Sequence, residues 1–85
     1  MKVILTVTKD QVTGQCVNTP IINHNEADAK RSFKKAVQEL EEQKAKDVPL
    51  TDLQLFCIAA FDTESLEIVP DTHYICSAAE FLKGE

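Results

Sequence analysis

The sequence is poor in the residues that build phosphate-binding loops, disulfide frameworks and metal clusters. Its 85 residues include two glycines, three prolines, three cysteines and no tryptophan. So few glycines argue against phosphate-cradling loops, and neither a G-x-G-x-x-G motif nor a P-loop occurs. The cysteines are widely spaced, without a C-x-x-C motif, so we expect them to be small buried apolar residues in a reducing cytoplasm.

The sequence also lacks a long apolar segment and an excess of positive charge. Its longest apolar run covers residues 55–61, far short of the ~18 residues that a membrane-spanning helix needs, and no signal peptide is recognisable. We therefore expect a cytoplasmic protein that forms a single domain over residues 1–85. The net charge of −5 argues against a broad basic surface for nucleic acid but is compatible with a local basic patch.

The chain begins with a segment rich in β-branched residues. In the predicted first strand Val3, Leu5 and Val7 share one face, and Ile4 lies on the other. Four strands are predicted, over residues 2–8, 15–19, 53–61 and 66–69, and Pro70 interrupts the last before a short extension at 74–76.

A long amphipathic helix follows the second predicted strand. Asn25 is a good N-cap, and residues 26–46 contain neither glycine nor proline. Glu26 and Lys30 are spaced for an i,i+4 ion pair. The apolar stripe at helical spacing consists of Ala29, Phe33, Ala36, Val37 and Leu40.

The order of predicted elements is β-β-α-β-β, followed by a short C-terminal helix. Ser77 and Glu80 have the spacing of a capping box, which predicts this last helix over residues 78–83. The fold class that fits this order is α+β, with a small antiparallel sheet and the long helix packed on one face.

No arrangement of residues indicates catalysis, a metal or a cofactor. His24 and His73 are the two histidines, and neither lies in the local signature of a nucleophile–base pair. The carboxylates around residue 64 lack the spacing and central glycine of a calcium loop. We expect a binding protein rather than an enzyme, and no bound cofactor.

Four cations lie close together on the predicted helix. They are Lys30, Arg31, Lys34 and Lys35. One interpretation is the solvated side of an amphipathic helix. The other is a phosphate-binding patch, for which log K would fall with log[salt] at a slope of roughly −3 to −4 if all four engage. No aromatic residue interleaves with these cations, so base stacking is not indicated on this helix.

The apolar third strand suggests a second surface. One helix covers only one face of a four-stranded sheet, so Ile4, Phe56 and Ile58 are predicted to lie exposed, or to form a homodimer or partner interface. The other interpretation is that the C-terminal helix covers part of this face.

A series of short matches to one family runs along most of the chain. They are Asp10 and Gly14 at the first turn, Pro20, then Ala27, Arg31, Phe33 and Val37 on the helix, then Pro49, Asp52, Leu53, Leu55, Ile58, Phe61, Asp62 and Thr63, and finally Ala78, Glu80, Phe81 and Leu82. In order and spacing they resemble the small nonstructural protein of gokushovirus-type microviruses, which are tailless single-stranded-DNA phages. The sequence differs from that family in lacking an aromatic residue in the first strand and before Leu53.

The resemblance implies a viral protein made in the cytoplasm of the infected bacterium and absent from the virion. It also implies DNA binding in genome replication or packaging, for which Lys30, Arg31, Lys34 and Lys35 are the candidate phosphate contacts, within a homodimer that doubles the patch. The alternative is an acidic interaction module that docks on a host or viral replication protein through an apolar sheet face.

Overall fold

The structure, a computed structural model, confirms the α+β fold with one long helix on an antiparallel sheet. It describes residues 1–17, 19–42 and 50–81. The elements are β1 (Lys2–Asp10), β2 (Ile21–Asn23), α1 (Glu26–Glu42), β3 (Leu53–Asp62) and β4 (Ile68–Ser77), with 3-10 turns at Leu50–Asp52 and Ala78–Glu80. The four strands form one sheet in the order β2-β1-β3-β4.

The two central strands, β1 and β3, pair along their whole length. Their register runs from Lys2 opposite Asp62 to Asp10 opposite Leu53. A central strand has neighbours on both sides, which explains why β3 is apolar almost throughout. The register shifts within β3 on both sides, and Ile58 is left without a partner in β1 or β4, so β3 bulges there.

Helix α1 begins where the sequence predicts. The side-chain Oδ1 of Asn25 accepts a hydrogen bond of 2.8 Å from the backbone N–H of Asp28, which satisfies one of the free donors of the first turn. Phe33 is 7 % exposed and meets the ring of Phe81 edge to face, with the centroids 6.3 Å apart. No helix in the described part of the chain is long and apolar enough to cross a membrane.

The core lies between α1 and the sheet. Its buried members come from the helix, from alternate positions of β3 and from the end of β4, so the helix and the two strands are held by one cluster. They are Ala29, Phe33, Val37, Leu53, Leu55, Cys57, Ile75, Cys76 and Ala78, with Ile4, Leu50 and Phe81 packed against them.

The predicted second strand is wrong in position. Residues 15–19 contribute only an isolated bridge between Lys9 and Cys16, with Asn18 outside the described residues. The strand is Ile21–Asn23, which pairs with β1. Ile22 lies opposite Leu5 and Ile21 opposite Thr6, and these β-branched residues favour the strand conformation more than the polar stretch before Pro20 does.

The predicted break at Pro70 is also wrong, because β4 runs without interruption from Ile68 to Ser77. As an edge strand, β4 tolerates a residue without a backbone N–H, and Pro70 lies opposite Ala59 next to the bulge. Leu66, predicted to begin this strand, lies instead in the preceding turn, with a φ of 67°.

The capping box near the C-terminus is confirmed. Ser77 Oγ accepts from the N–H of Ala79, and the Glu80 carboxylate accepts from the N–H of Ser77 at 2.9 Å. The box begins a 3-10 turn of three residues, Ala78–Glu80, rather than an α-helix. The remainder of the predicted helix, from residue 82 onward, lies outside the described residues.

Candidate nucleic-acid interface and open sheet face

The four predicted phosphate contacts form one exposed surface on α1. Lys30, Arg31, Lys34 and Lys35, termed the basic patch, are all exposed. At 100° per residue they span about 140° of the helix circumference and a rise of about 7.5 Å. Within the described chain, no salt bridge involves any of the four cations. The patch is therefore open to an anionic partner.

Acidic side chains bound the basic patch on both sides along α1. Glu26 and Asp28 lie in the first turn, and Glu39, Glu41 and Glu42 follow the patch. The acidic first turn suits the positive end of the helix dipole, but the acidic last turn does not. The positively charged side chains of α1 are consequently confined to the middle of the helix.

Glu26 bonds to β4 rather than to the basic patch. Its Oε2 lies 3.0 Å from Nε2 of His73, and Asp71 Oδ1 lies 3.2 Å from Nδ1 of the same ring. The predicted pair between Glu26 and Lys30 is thus replaced by a contact between residues 47 positions apart in the chain. The hydrogen bonds that the protonated ring donates to the carboxylates of Glu26 and Asp71 raise the pKa of His73 above its usual value of 6.5.

The three predicted partner-surface residues do not share one face. Ile4 packs against the core beneath the helix, and its register partner is Ala60. Phe56 pairs with Val7 and so lies on the face away from the helix, because residues in register share a face. Ile58 is half-buried at the bulge. Grouping Ile4 with Phe56 is therefore corrected, since Phe56 lies opposite Val7, and Val7 and Ile4 point to opposite faces of β1.

The sheet face away from α1, termed the open face, is apolar. Val3 and Val7 are buried, and their register partners Phe61 and Phe56 contribute to that burial. The rings of Phe56 and Tyr74 meet edge to face with centroids 5.9 Å apart. The open face consists of Val3, Leu5, Val7, Ile22, Phe56, Ala59, Phe61, Ile68, Pro70 and Tyr74.

The described helical elements all lie on the other side of the sheet. Ala78 lies in the core under α1, Leu50 packs against that core, and the ring of Phe81 meets Phe33 edge to face. The smallest dimension of the molecule is 16 Å, which accommodates one helix layer on one sheet. The suggestion that the C-terminal turn covers the second face is therefore wrong for the described residues.

Sequence reasoning missed most of the open face. The strand pattern places Val3, Leu5 and Val7 together, but the partners of Val3 and Leu5 in β3 depend on the bulge at Ile58. Tyr74 lies beyond the break that the sequence predicts at Pro70, so the sequence does not assign it to this face. The alternation of Val3, Leu5 and Val7 in β1 was the available signal for an apolar face on this side of the sheet.

A cavity of about 100 Å³ lies between α1 and the β2 edge of the sheet. Thr6 and Asn23 form its polar wall, with the Thr6 hydroxyl donating to Asn23 Oδ1 at 2.8 Å. Its remaining lining includes Ser32, Phe33 and Leu55, and no lining residue has a titratable side chain. The cavity thus offers hydrogen bonds but no group for acid–base chemistry.

The cysteines fall into two environments. Cys16 is exposed, whereas Cys57 and Cys76 are buried in the core. Burial raises the pKa of Cys57 and raises the pKa of Cys76 to about 11. Across residues 1–17, 19–42 and 50–81, no group of three histidine, cysteine or acidic side chains is placed to hold a metal ion.

These features define a two-layer α+β protein that carries a basic patch on its helix and an apolar surface on the opposite side of its sheet. The model of one family, described as Phage ORF5 protein, matches residues 3–81. The match covers most of the chain, and the protein belongs to the Phage ORF5 family. No curated protein and no solved structure matches the chain.

Proposed function

We propose that this phage protein binds DNA through the basic patch of α1 and assists genome replication or packaging in the infected bacterium. Membership of a phage family supports a role in the viral cycle. The microvirus resemblance of the sequence points to a single-stranded-DNA phage, whose small nonstructural protein acts in the host cytoplasm and stays out of the virion.

The observation that carries the proposal is four exposed cations within six residues of one helix, without an ion pair in the described chain. Exposed cations without a carboxylate partner can neutralise phosphates, which releases the counterions condensed on the DNA. The net charge of −5 repels DNA from the rest of the surface, so contact is restricted to this patch and is strongly salt-dependent.

The test is a titration of fluorescently labelled single- and double-stranded DNA against the protein over a series of salt concentrations. Intact protein should bind at low salt, and log K should fall with log[salt] at a slope of roughly −3 to −4. The double charge reversal Lys34→Glu and Lys35→Glu should abolish binding, because it replaces two phosphate contacts with two repulsive charges.

The matched control is the double reversal Lys2→Glu and Lys9→Glu, which changes the net charge equally but lies in β1. Binding should weaken far less in this control than in the α1 variant. An absence of DNA binding at low salt, or equal losses in the two double variants, would contradict the assignment of the patch.

The alternative function, docking on a host or viral replication protein, is favoured by the open face. Tyr74, Ile68 and Ile22 are 49 %, 59 % and 59 % exposed, and exposed apolar surface of this kind is typical of protein interfaces. Recovery of a stoichiometric protein partner that survives nuclease treatment would favour this candidate over DNA binding.

A further inference from the structure

We propose that a second copy of this chain covers the open face, so that two sheets stack and the helices lie on the outside. The proposal concerns the face opposite the basic patch and does not depend on DNA binding. Its starting observation is that the apolar rings and isoleucines of the open face have no covering layer in the described chain.

The size of the open face suits a weak symmetric dimer. Three strands of nine or ten residues and the short β2 cover roughly 500 Å² in projection, at ~4.8 Å between strands and ~3.3 Å per residue. The accessible area is larger than this projected area, because the side chains protrude from the plane of the sheet. Specific interfaces begin at about 600 Å² per partner, so the face is just large enough for reversible self-association.

Charge favours a second copy at this face. The chain carries a net charge of −5, so two copies repel each other when their acidic surfaces approach. The residues that define the open face carry no formal charge, and Lys9, which shares this face by alternation along β1, lies at its end opposite Gln54. Two copies can therefore meet over the middle of this face without opposing like charges, whereas the helix side is charged throughout, with the basic patch beside the exposed Glu39 and Glu42.

The apolar side chains also suit sheet-on-sheet packing. Phe56 lies on a central strand and is half-buried, while Tyr74 on the edge strand is 49 % exposed. Two such faces interdigitate when their strands cross at about 30° and the sheets stand about 10 Å apart. The result is a four-layer arrangement, helix–sheet–sheet–helix, with the two basic patches on opposite outer surfaces.

Sedimentation equilibrium of the full chain over a wide range of concentrations tests the proposal. The apparent mass should rise from one chain to two with increasing concentration. Phe56→Lys should abolish this rise, because it places two like charges in the middle of the stacked sheets. Val12→Lys makes the same change in net charge at a residue that is 74 % exposed in the first turn, and it should leave dimerisation unchanged.

A second variant and a direct measurement separate loss of the interface from loss of the fold. Tyr74→Lys alters an exposed ring and should also prevent dimerisation while the circular dichroism spectrum stays that of the parent. In an equal mixture of isotope-labelled and unlabelled parent protein, isotope-filtered NMR should show contacts between the rings of Phe56 or Tyr74 and Val7 or Leu5 of the other copy.

The proposal is overturned by a parent protein that remains monomeric at all concentrations, whether or not another protein binds the face. It is equally overturned by folded Phe56→Lys and Tyr74→Lys variants that still dimerise, since the interface would then lie elsewhere. Neither result bears on DNA binding by the patch, which the two lysine reversals test separately.

Discussion

At the residue scale, His73 couples β4 to the start of α1. Its ring lies between Glu26 and Asp71, and both carboxylates favour the protonated imidazole. Since the folded pKa is raised above the usual 6.5, the resulting stabilisation is fully present below pH 6.5. It is lost as the pH rises through the folded pKa.

We expect the difference in unfolding free energy between the parent and His73→Asn to be largest at mildly acidic pH and to shrink as the pH rises. Urea denaturation at a series of pH values measures this difference. A difference that is constant or grows with pH would mean that the protonated ring contributes nothing to the folded state.

Glu26→Gln tests the partner directly. It should lower the pKa of His73 toward 6.5, because it removes one of the two carboxylates that accept from the ring. An NMR titration of the ring protons measures the shift. Glu39→Gln removes a carboxylate from the same helix outside this contact and should leave the titration unchanged. A similar effect from both variants would exclude a specific role for Glu26.

At the element scale, α1 depends on its N-terminal cap. The Asn25 side chain binds the N–H of Asp28, and the Asp28 carboxylate in turn accepts from the N–H of His24. Replacement of an asparagine cap by alanine typically costs about 1 kcal/mol. We expect Asn25→Ala to lower the unfolding free energy by this amount, measured by urea denaturation.

Asn25→Asp is the matched control, because aspartate retains an acceptor oxygen at the cap and adds a charge that the helix dipole favours. It should be as stable as the parent. If Asn25→Ala is equally stable, the helix does not depend on this hydrogen bond in solution.

Elements with strong local signals were the predictable part of the fold. Helix α1 combines a capping residue with an apolar stripe, and β3 contains the longest apolar run of the chain, residues 55–61, so each was recognised without knowledge of its neighbours. The capping box at Ser77 was likewise local. Strand β2 has only three residues, and it is a strand because β1 lies beside it. Its position therefore could not be obtained from local propensity.

At the scale of the whole molecule, the two candidate surfaces also differ in how far the sequence predicts them. The basic patch was predictable because helical periodicity alone keeps its cations away from Phe33. The open face was not, since it depends on the register between β1 and β3 and on the bulge at Ile58. The hydrogen bond between Glu26 and His73 likewise could not be predicted, because only the folded chain brings the start of α1 beside β4.

The contrast between exposed and buried cysteines makes the cooperativity of the fold measurable. Cys57 and Cys76 sit on neighbouring strands within the core cluster, so an alkylating reagent reaches them only when helix and sheet separate. Counting adducts by intact mass spectrometry should show one rapid modification, at Cys16, followed by two slow ones that accelerate together with added urea. If the two slow modifications occur one at a time, β3 and β4 open independently.

The alkylation rates of the three thiols therefore report how often the folded chain opens. A ligand that stabilises the folded state should slow the modification of Cys57 and Cys76 and leave the rate at Cys16 unchanged. Binding of DNA to the helix, or of a second chain to the far side of the sheet, could in this way be followed without a dye, a tag or an engineered residue.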